Sequence, residues 1–482
     1  MSSDFQFNEW TEKRKRTSRV FYIQNLLNGI EYSLTYMNLY LYLKQVIKTD
    51  HLVFHYTAIS TGFLLSLIVN SLILGRIFDH YRNFRVILIF ANVTMIIGNV
   101  FYIIPISPWF LFTGRVVSGV GSCMRSLITA ELARSYKEKE VLVQFSRLGM
   151  AFGIGFIAGP GINFAFVNAN FQFLGIHIMF ANGAGLLLIF FLFIQLGLVV
   201  FFVSNLSKEF DLKEALSGTN QGEEEEEEEE LFIKYKKLLA KNLRETSSST
   251  ASFTNEENQD DEQEEPEESA FLLQNSKENL KKDSQSFFKI IMSIDMVLIM
   301  IMSMFFMHSY YTYDLWQPMA AVQYLDWGIF EINFVTFGWG IGSILVYVIY
   351  MFTSPSKRSS GYINIVCIFC NVIVISIFIT WKTYNQNTKI NIFLSVLYGI
   401  TFPVVALIEY VFLPSVLASL VPSHCQAFAE GARLSFSRVG SMLAVLFAAS
   451  MFKYLEYVCV TYITVTFILL VLFLWRMKRL VG

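Results

Sequence analysis

The stretch Gln144–Asn163, QFSRLGMAFGIGFIAGPGIN, decides the fold. It is apolar enough and long enough to span a bilayer, and it carries one arginine. Its end reads Gly155-Phe-Ile-Ala-Gly159-Pro160-Gly161. Glycine at every fourth position lets two membrane helices approach backbone to backbone. Proline after glycine is expected to bend or end the helix there. Almost three hundred residues later, Phe145-Ser-Arg147-Leu-Gly149 is echoed by Phe436-Ser-Arg438-Val-Gly440. Both pentads lie in the fifth apolar span of their half, which reads as a duplicated membrane half. Many secondary transporters share that architecture, with the substrate site between the repeats.

Working outward, 54% of the residues are apolar, which indicates a polytopic membrane protein and excludes an ordinary soluble enzyme. The net charge of −2 carries no information, because charge is segregated by region. Cys123, Cys367, Cys370, Cys425 and Cys459 all fall in or beside apolar spans and read as packing residues. The chain opens polar and basic, so no cleavable signal peptide is expected.

A spanning helix needs about 20 mostly apolar residues, and twelve runs qualify, at roughly 18–43, 52–75, 85–105, 108–132, 142–166, 177–203, 288–313, 328–352, 361–381, 390–418, 426–450 and 454–475. The expected architecture is an all-α membrane protein of twelve transmembrane helices in two pseudo-symmetric six-helix halves. The halves cover 18–203 and 287–476, with tails at 1–17 and 477–482. Lysine and arginine crowd one side: Lys13 to Arg19, Arg76 to Arg85, Arg134 to Lys139, Lys357 and Arg358, and Arg476 to Arg479. The positive-inside rule puts that side, and both termini, in the cytoplasm.

Residues 204–286 differ. The run Glu223–Glu230 is followed by Ser, Thr and more acidic residues, a composition too poor in apolar surface to fold. This is expected to be a disordered acidic linker. Within it, Glu268-Ser-Ala-Phe-Leu272-Leu273 fits the acidic dileucine pattern that clathrin adaptors read as an endosomal or lysosomal address.

Charge inside hydrocarbon costs about 2.5–3.5 kcal/mol per residue on insertion scales, so it serves a site or a structural lock. Spans three, six and nine carry almost none, and span twelve has only Glu456 near its start. Span one has Glu31; span four has Arg115, Arg125 and Glu131; span seven ends in Tyr310, Tyr311, Tyr313 and Asp314; span ten has Glu409. Spans five and eleven carry Arg147, Glu430, Arg433 and Arg438. If each half is a pair of three-helix repeats, spans one, four, seven and ten line a central cavity and spans three, six, nine and twelve face lipid. Structural readings stand beside the functional ones. Arg115 can brace helices, Glu131, Arg147 and Arg433 can snorkel to the interface, and Asp314 can sit in luminal water. Glu31, Arg125, Glu409 and Arg438 are the deepest and are the expected substrate or coupling residues.

Gly75-Arg-Ile-Phe-Asp79-His-Tyr-Arg82-Asn-Phe-Arg85 resembles the loop signature between spans two and three of the major facilitator superfamily. The resemblance implies a glycine-permitted tight turn, and an aspartate and basic residues that latch the halves together in one state. Arg115 to Gly119 and Gly121 resembles the family's span-four arginine motif, and Gly155, Gly159 and Pro160 its span-five Gly-Pro motif. Within the superfamily the chain is similar to the lysosomal ceroid-lipofuscinosis type 7 proteins, on Gly114–Gly121, Arg125-Ser126, Gly153–Pro160, the Pro318 region and Gln426–Gly440. That likeness implies a lysosomal membrane and permeation of chloride or a small solute. The counterpart loop in the second half, Thr353-Ser-Pro-Ser-Lys357-Arg358, lacks the Gly and Asp.

The leading expectation is therefore a transporter of a small anionic solute in endolysosomal membranes. Arg125 and Arg438 would attract the anion, and Glu31 and Glu409 would couple protons. Its rivals are a proton-coupled carrier of a sugar or organic cation, and a non-transporting scaffold or sensor whose linker recruits partners. No metal-ligand spacing or phosphate-binding glycine loop is present, so neither enzymatic activity, a cofactor, a metal nor a nucleic-acid partner is expected.

Overall fold

The computed structural model describes residues 3–164, 170–173, 175–217, 232–233, 236–237, 292–327, 329–353, 357–384 and 388–480. The twelve spans lie in helices Ser3–Leu41, Leu52–Tyr81, Phe84–Ile103, Pro108–Ser122 with Arg125–Ser135, Glu138–Phe164, Phe180–Phe202, Ile294–Leu325, Ile329–Thr353, Lys357–Thr383, Thr388–Leu420, Gln426–Phe452 and Leu455–Leu480. Among the described residues, eight helices are long and apolar enough by themselves to cross a membrane. Spans one, four, eight and eleven fall outside that set, and three of these four hold buried charge.

Spans three, six, nine and twelve turn large apolar side chains outward, for example Phe90, Phe193, Phe369 and Phe467. Spans three and nine carry buried asparagines on their inward faces. Asn92 and Asn99 on span three match the spacing of Asn364 and Asn371 on span nine. Within each half, span one packs along span five, and span seven along span eleven. Across the halves, span two meets span eleven and span five meets span eight. This exchange of partners is the pseudo-symmetry.

Glycine permits both intrahalf seams. A Cβ on Gly155 would strike the backbone of Leu26 and Ile30 in span one, and one on Gly440 would strike that of Met304 and His308 in span seven. Gly440 is thus the counterpart of Gly155. The two pentads occupy equivalent helices but different faces. Gly149 lies against the Tyr347 ring of span eight, and Phe145 is buried where Phe436 is exposed. Duplication is real at the level of packing, while the pentad is not its register.

Four details depart from expectation. Span five runs through Pro160 to Phe164, so the proline does not end it; in a membrane helix the freed carbonyl is readily satisfied by neighbours. The basic tail belongs to the first helix. Its Trp10 is buried against Phe210, and Arg14 stacks on Trp10 and Tyr136 while donating to the Ser135 carbonyl at 3.0 Å. Residues at the start of the acidic linker are folded, as helices Leu206–Glu209 and Leu212–Ser217, because Leu206, Phe210 and Leu212 supply apolar contacts; the run Glu223–Glu230 lies outside the described residues. Between spans five and six, an antiparallel hairpin pairs Asn170–Phe173 with Ile176–Met179, turning through Gly175 at φ +78°. The dileucine residues Glu268, Leu272 and Leu273 lie outside the described residues.

Candidate functional site

The face that carries both termini is closed by a latch between the halves. Asp79, near the end of span two, accepts the backbone N–H groups of Ala427 at 3.0 Å and Phe428 at 2.8 Å. These lie in the first turn of span eleven, where unpaired N–H groups and the helix dipole favour an anion. Arg134 donates to the same carboxylate and reaches the Ser423 carbonyl at 3.0 Å through Nε. Gly75 has a different part from the one its motif suggests. It sits inside span two, where a Cβ would lie 2.9 Å from the Ala427 carbonyl oxygen; it admits span eleven and makes no turn. The turn falls on Arg82, at φ +51°. Arg82 pairs with Asp211 at 2.7 Å, and the Arg85 backbone N–H donates to Asn205 Oδ1 at 2.8 Å.

The folded start of the linker joins the latch. Asp211 binds Arg82 in one half and accepts from the Ser423 hydroxyl in the other. Lys213 donates to the carbonyls of Ala418 and Val421, closing the end of span ten with a cation, and to Gln426 Oε1 at 2.6 Å. Glu131 accepts from the Ser207 N–H at 3.0 Å and is fully buried, so it does not snorkel. Arg134, Asp211 and Lys213 were not singled out as site residues in the sequence. No local motif marks them, because their partners lie more than fifty residues away.

Deeper in, the halves enclose a cavity of about 130 Å³ walled by spans one, five, seven, eight and ten, with Tyr32, Phe152, Tyr310, Asp314, Tyr347 and Tyr410 among its lining. It shares Tyr32, Phe152 and Tyr410 with a second chamber that Glu31, Arg125 and Arg438 line. The structure therefore brings three of the four expected substrate or coupling residues around one chamber. The fourth, Glu409, is not part of that lining and pairs with Arg433.

The carboxylates are not free. Glu31 pairs with Arg115 at 3.4 Å and accepts from Ser118 at 2.5 Å and Ser122 at 3.3 Å. Gly119, beside them, lets span four close on Ser66 of span two, where an added Cβ would stand 2.8 Å from the serine Cβ. Glu409 pairs with Arg433 at 2.5 Å and accepts from Ser303 at 2.6 Å. Arg433 also holds Glu430 through two bonds of 2.8 and 2.7 Å. It is fully buried, against the expectation that it snorkels. Arg147 is exposed on span five.

The arginines that were expected to draw an anion are different. Arg125 is 7% exposed and sits over the Tyr410 ring, its guanidinium carbon 4.2 Å from the ring centre. Among the described residues neither Arg125 nor Arg438 has a salt bridge or a side-chain hydrogen bond. Both helices that form this contact are irregular. Span four breaks at Cys123 and Met124 and restarts on Arg125. Span ten widens into a π-turn at Ile408–Phe412, where the Leu413 N–H reaches five residues back to Ile408. Pro414 gives the reason: it cannot donate to the Tyr410 carbonyl, and its ring crowds that turn. Spans four and ten are equivalent in the two halves. Interrupted helices at equivalent positions are where such folds place their solute.

The Major Facilitator Superfamily model matches residues 21–445. The chain belongs to the major facilitator superfamily. Curated proteins to which it is similar include the class G tetracycline resistance protein of Vibrio anguillarum, 27% identical over 120 residues, or 25% of this chain and 30% of that one. The class D protein of Salmonella ordonez is 41% identical over 54 residues, 11% and 14% of the two chains. The match thus spans less than a third of either relative's length. Among solved structures, the human organic anion transporter MFSD10 (TETRAN) aligns at TM-score 0.58 and 12% identity, over 95% of this chain and 98% of that one. The proton:xylose symporter XylE, bound to 6-bromo-6-deoxy-D-glucose, aligns at 0.60 and 13%, over 96% and 95%. These two share the fold. This superfamily protein is accordingly a multi-pass membrane protein, built as two six-helix halves around a central cavity.

Proposed function

We propose that the protein moves a small anionic solute across the membrane by alternating access, with Arg125 as the anion contact and Arg438 beside it. One observation carries this reading: a nearly buried arginine without a carboxylate partner among the described residues lines the chamber between the halves. Uncompensated buried charge costs several kcal/mol, by order of magnitude, so such a group is kept where a ligand completes it. Chloride is the simplest ion of this class, and the adjoining cavity leaves room for an organic anion. The closed latch on the terminal face corresponds to a state open, or opening, toward the opposite side. Movement of Asp79 off span eleven would begin the exchange.

Glu31 and Glu409 enter this cycle as ion pairs. A proton taken up by either would release Arg115 or Arg433, which is how a pH gradient would couple to the rocking of the halves. By the positive-inside rule the latch faces the cytoplasm, and the acidic dileucine at Glu268, Leu272 and Leu273 supports an endosomal or lysosomal address read by clathrin adaptors. The likeness to the ceroid-lipofuscinosis type 7 proteins supports the same compartment.

The test is efflux from chloride-loaded liposomes containing purified protein, with and without a pH gradient, and uptake of labelled small carboxylates by the same vesicles. Arg125→Gln is expected to abolish flux while eluting as a normal monodisperse peak. Flux of every anion unchanged in that variant would sink the proposal.

A further inference from the structure

Nearly every buried charge in the protein is matched. Asp79 has Arg134, Glu31 has Arg115, Glu409 and Glu430 have Arg433, Asp211 has Arg82, and Asp295 has Arg476 and Arg479. Glu131 has the Ser207 N–H. Among the described residues three charges in the membrane interior remain, Arg125, Arg438 and Asp314, and all three line the joined chambers between the halves. Asp314 has no hydrogen bond or ion pair among the described residues. The titratable groups that face it are tyrosines: Tyr310 and Tyr311 on its own helix and Tyr398 on span ten, with Tyr347 and Tyr410 across the cavity. No lysine or arginine among the described residues pairs with it.

The leftover acid and the leftover arginines do not neutralise one another. Asp314 lines the larger chamber and the arginines the smaller one, and the two chambers adjoin at Tyr32, Phe152 and Tyr410, which line both. Tyr32 and Tyr311 meet beside that junction through a hydroxyl contact of 2.7 Å. A ligand with a single charge would satisfy one end and leave the other unpaired in a poorly solvated space. A ligand that carries both signs satisfies both.

Resting on the reading of Arg125 as the anion contact, we propose that the transported solute is a small zwitterion with a flat apolar body. Its carboxylate sits on Arg125 and Arg438, its ammonium group on Asp314, and its body between the rings of Phe152, Tyr310 and Tyr410. Size agrees with this. The larger chamber measures about 130 Å³, and a dry cavity of about 150 Å³ holds benzene. Aromatic walls favour stacking on a ring.

The experiment follows uptake of three matched probes into proteoliposomes: para-(aminomethyl)benzoate, para-methylbenzoate and para-methylbenzylamine. Wild type is expected to take up the zwitterion at least about tenfold faster than either singly charged probe. Asp314→Asn should erase that preference and carry para-methylbenzoate as well as the zwitterion. Asp314→Glu should restore part of it, and Arg125→Gln should lose both acids. Equal wild-type uptake of para-methylbenzoate and the zwitterion overturns the proposal, as does an unchanged preference in Asp314→Asn. Absence of both uptake and thermal stabilisation by the zwitterion overturns it too. If para-methylbenzoate uptake is driven by a proton gradient in wild type and loses that drive in Asp314→Asn, Asp314 holds a proton instead of an ammonium. The zwitterion then falls while the anion reading stands. Acid uptake that survives Arg125→Gln removes the anion reading itself.

Discussion

The two halves hold their buried acids in different ways. In the N-terminal half one carboxylate, Glu31, is shared by one arginine and two serines. In the C-terminal half one arginine, Arg433, is shared by two carboxylates, with Ser303 bridging. The N-terminal lock ties span one to span four, and the C-terminal lock ties span ten to span eleven. The contrast teaches that pseudo-symmetry governs where helices pack, while each half solves its own charge problem. It also separates locks from site. The residues left unlocked belong to both halves and meet only at the cavity.

The contrast is broken or sharpened most strongly at the shared arginine. Arg433→Ala would strand two carboxylates in the core, and breaking a buried pair costs about 3–5 kcal/mol even with one. Almost no monodisperse protein should survive detergent size-exclusion. Arg433→Lys should not rescue it, since one ammonium cannot make the paired bonds to Glu430 and also reach Glu409. Arg115→Ala strands one carboxylate that keeps two serine donors, so a reduced but measurable yield is expected. Equal yields from the two alanine variants would mean that the locks are equivalent.

A second pair probes what the halves share. Gly155→Ala and Gly440→Ala each push a methyl group into a facing backbone, with overpacking penalties of about 1–3 kcal/mol. Melting temperatures should fall by similar amounts in both. Gly153→Ala, with open space around its Cβ position, should be silent. Unequal losses at Gly155 and Gly440 would show that the two seams are not counterparts.

The latch can be read through Cys425, which lies beside it and is 1% exposed. Burial, aided by the nearby Asp79 charge, pushes its thiol up to about 11. A raised thiol is unreactive below that pH and reacts as pH climbs toward it; opening returns it toward about 8.5 and brings labelling down into the neutral range. With the other cysteines replaced by serine, Asp79→Asn should speed maleimide labelling at pH 8 by about tenfold, since exposure and thiolate fraction rise together. Unchanged labelling would mean that Asp79 does not hold the face shut. The smallest effect belongs to Arg82→Ala. Its partner Asp211 is buried but keeps the Ser423 hydroxyl as a donor, so labelling should rise less than about threefold.

The fold was largely legible because its cues are local. Apolar runs of spanning length, charge-free spans three, six and nine, and the Gly75–Arg85 and Gly155–Pro160 motifs each fit within one helix or loop. A better repeat signal was present than the pentad: Asn92 to Asn99 and Asn364 to Asn371, identically spaced on spans three and nine. It is easily missed because a polar residue in a lipid-facing span draws less notice than an arginine. Depth in the membrane picked out Glu31, Arg125, Glu409 and Arg438, but depth cannot tell a locked charge from an open one. Arg115 locks Glu31 at the chamber wall, Arg433 holds Glu409 outside that wall, and Asp314, for which luminal water stood as the structural reading, lines the cavity.

By itself the sequence determined twelve membrane segments, two halves, and which spans avoid charge, since burying a helix in hydrocarbon is decided by the residues of that helix alone. Tertiary structure decided which charges pair, that the first residues of the linker belong to the latch, and that Arg125 rests on Tyr410 across the seam between the halves. Pairing depends on distances between residues up to three hundred positions apart, and only the packing of the helices against one another sets those distances.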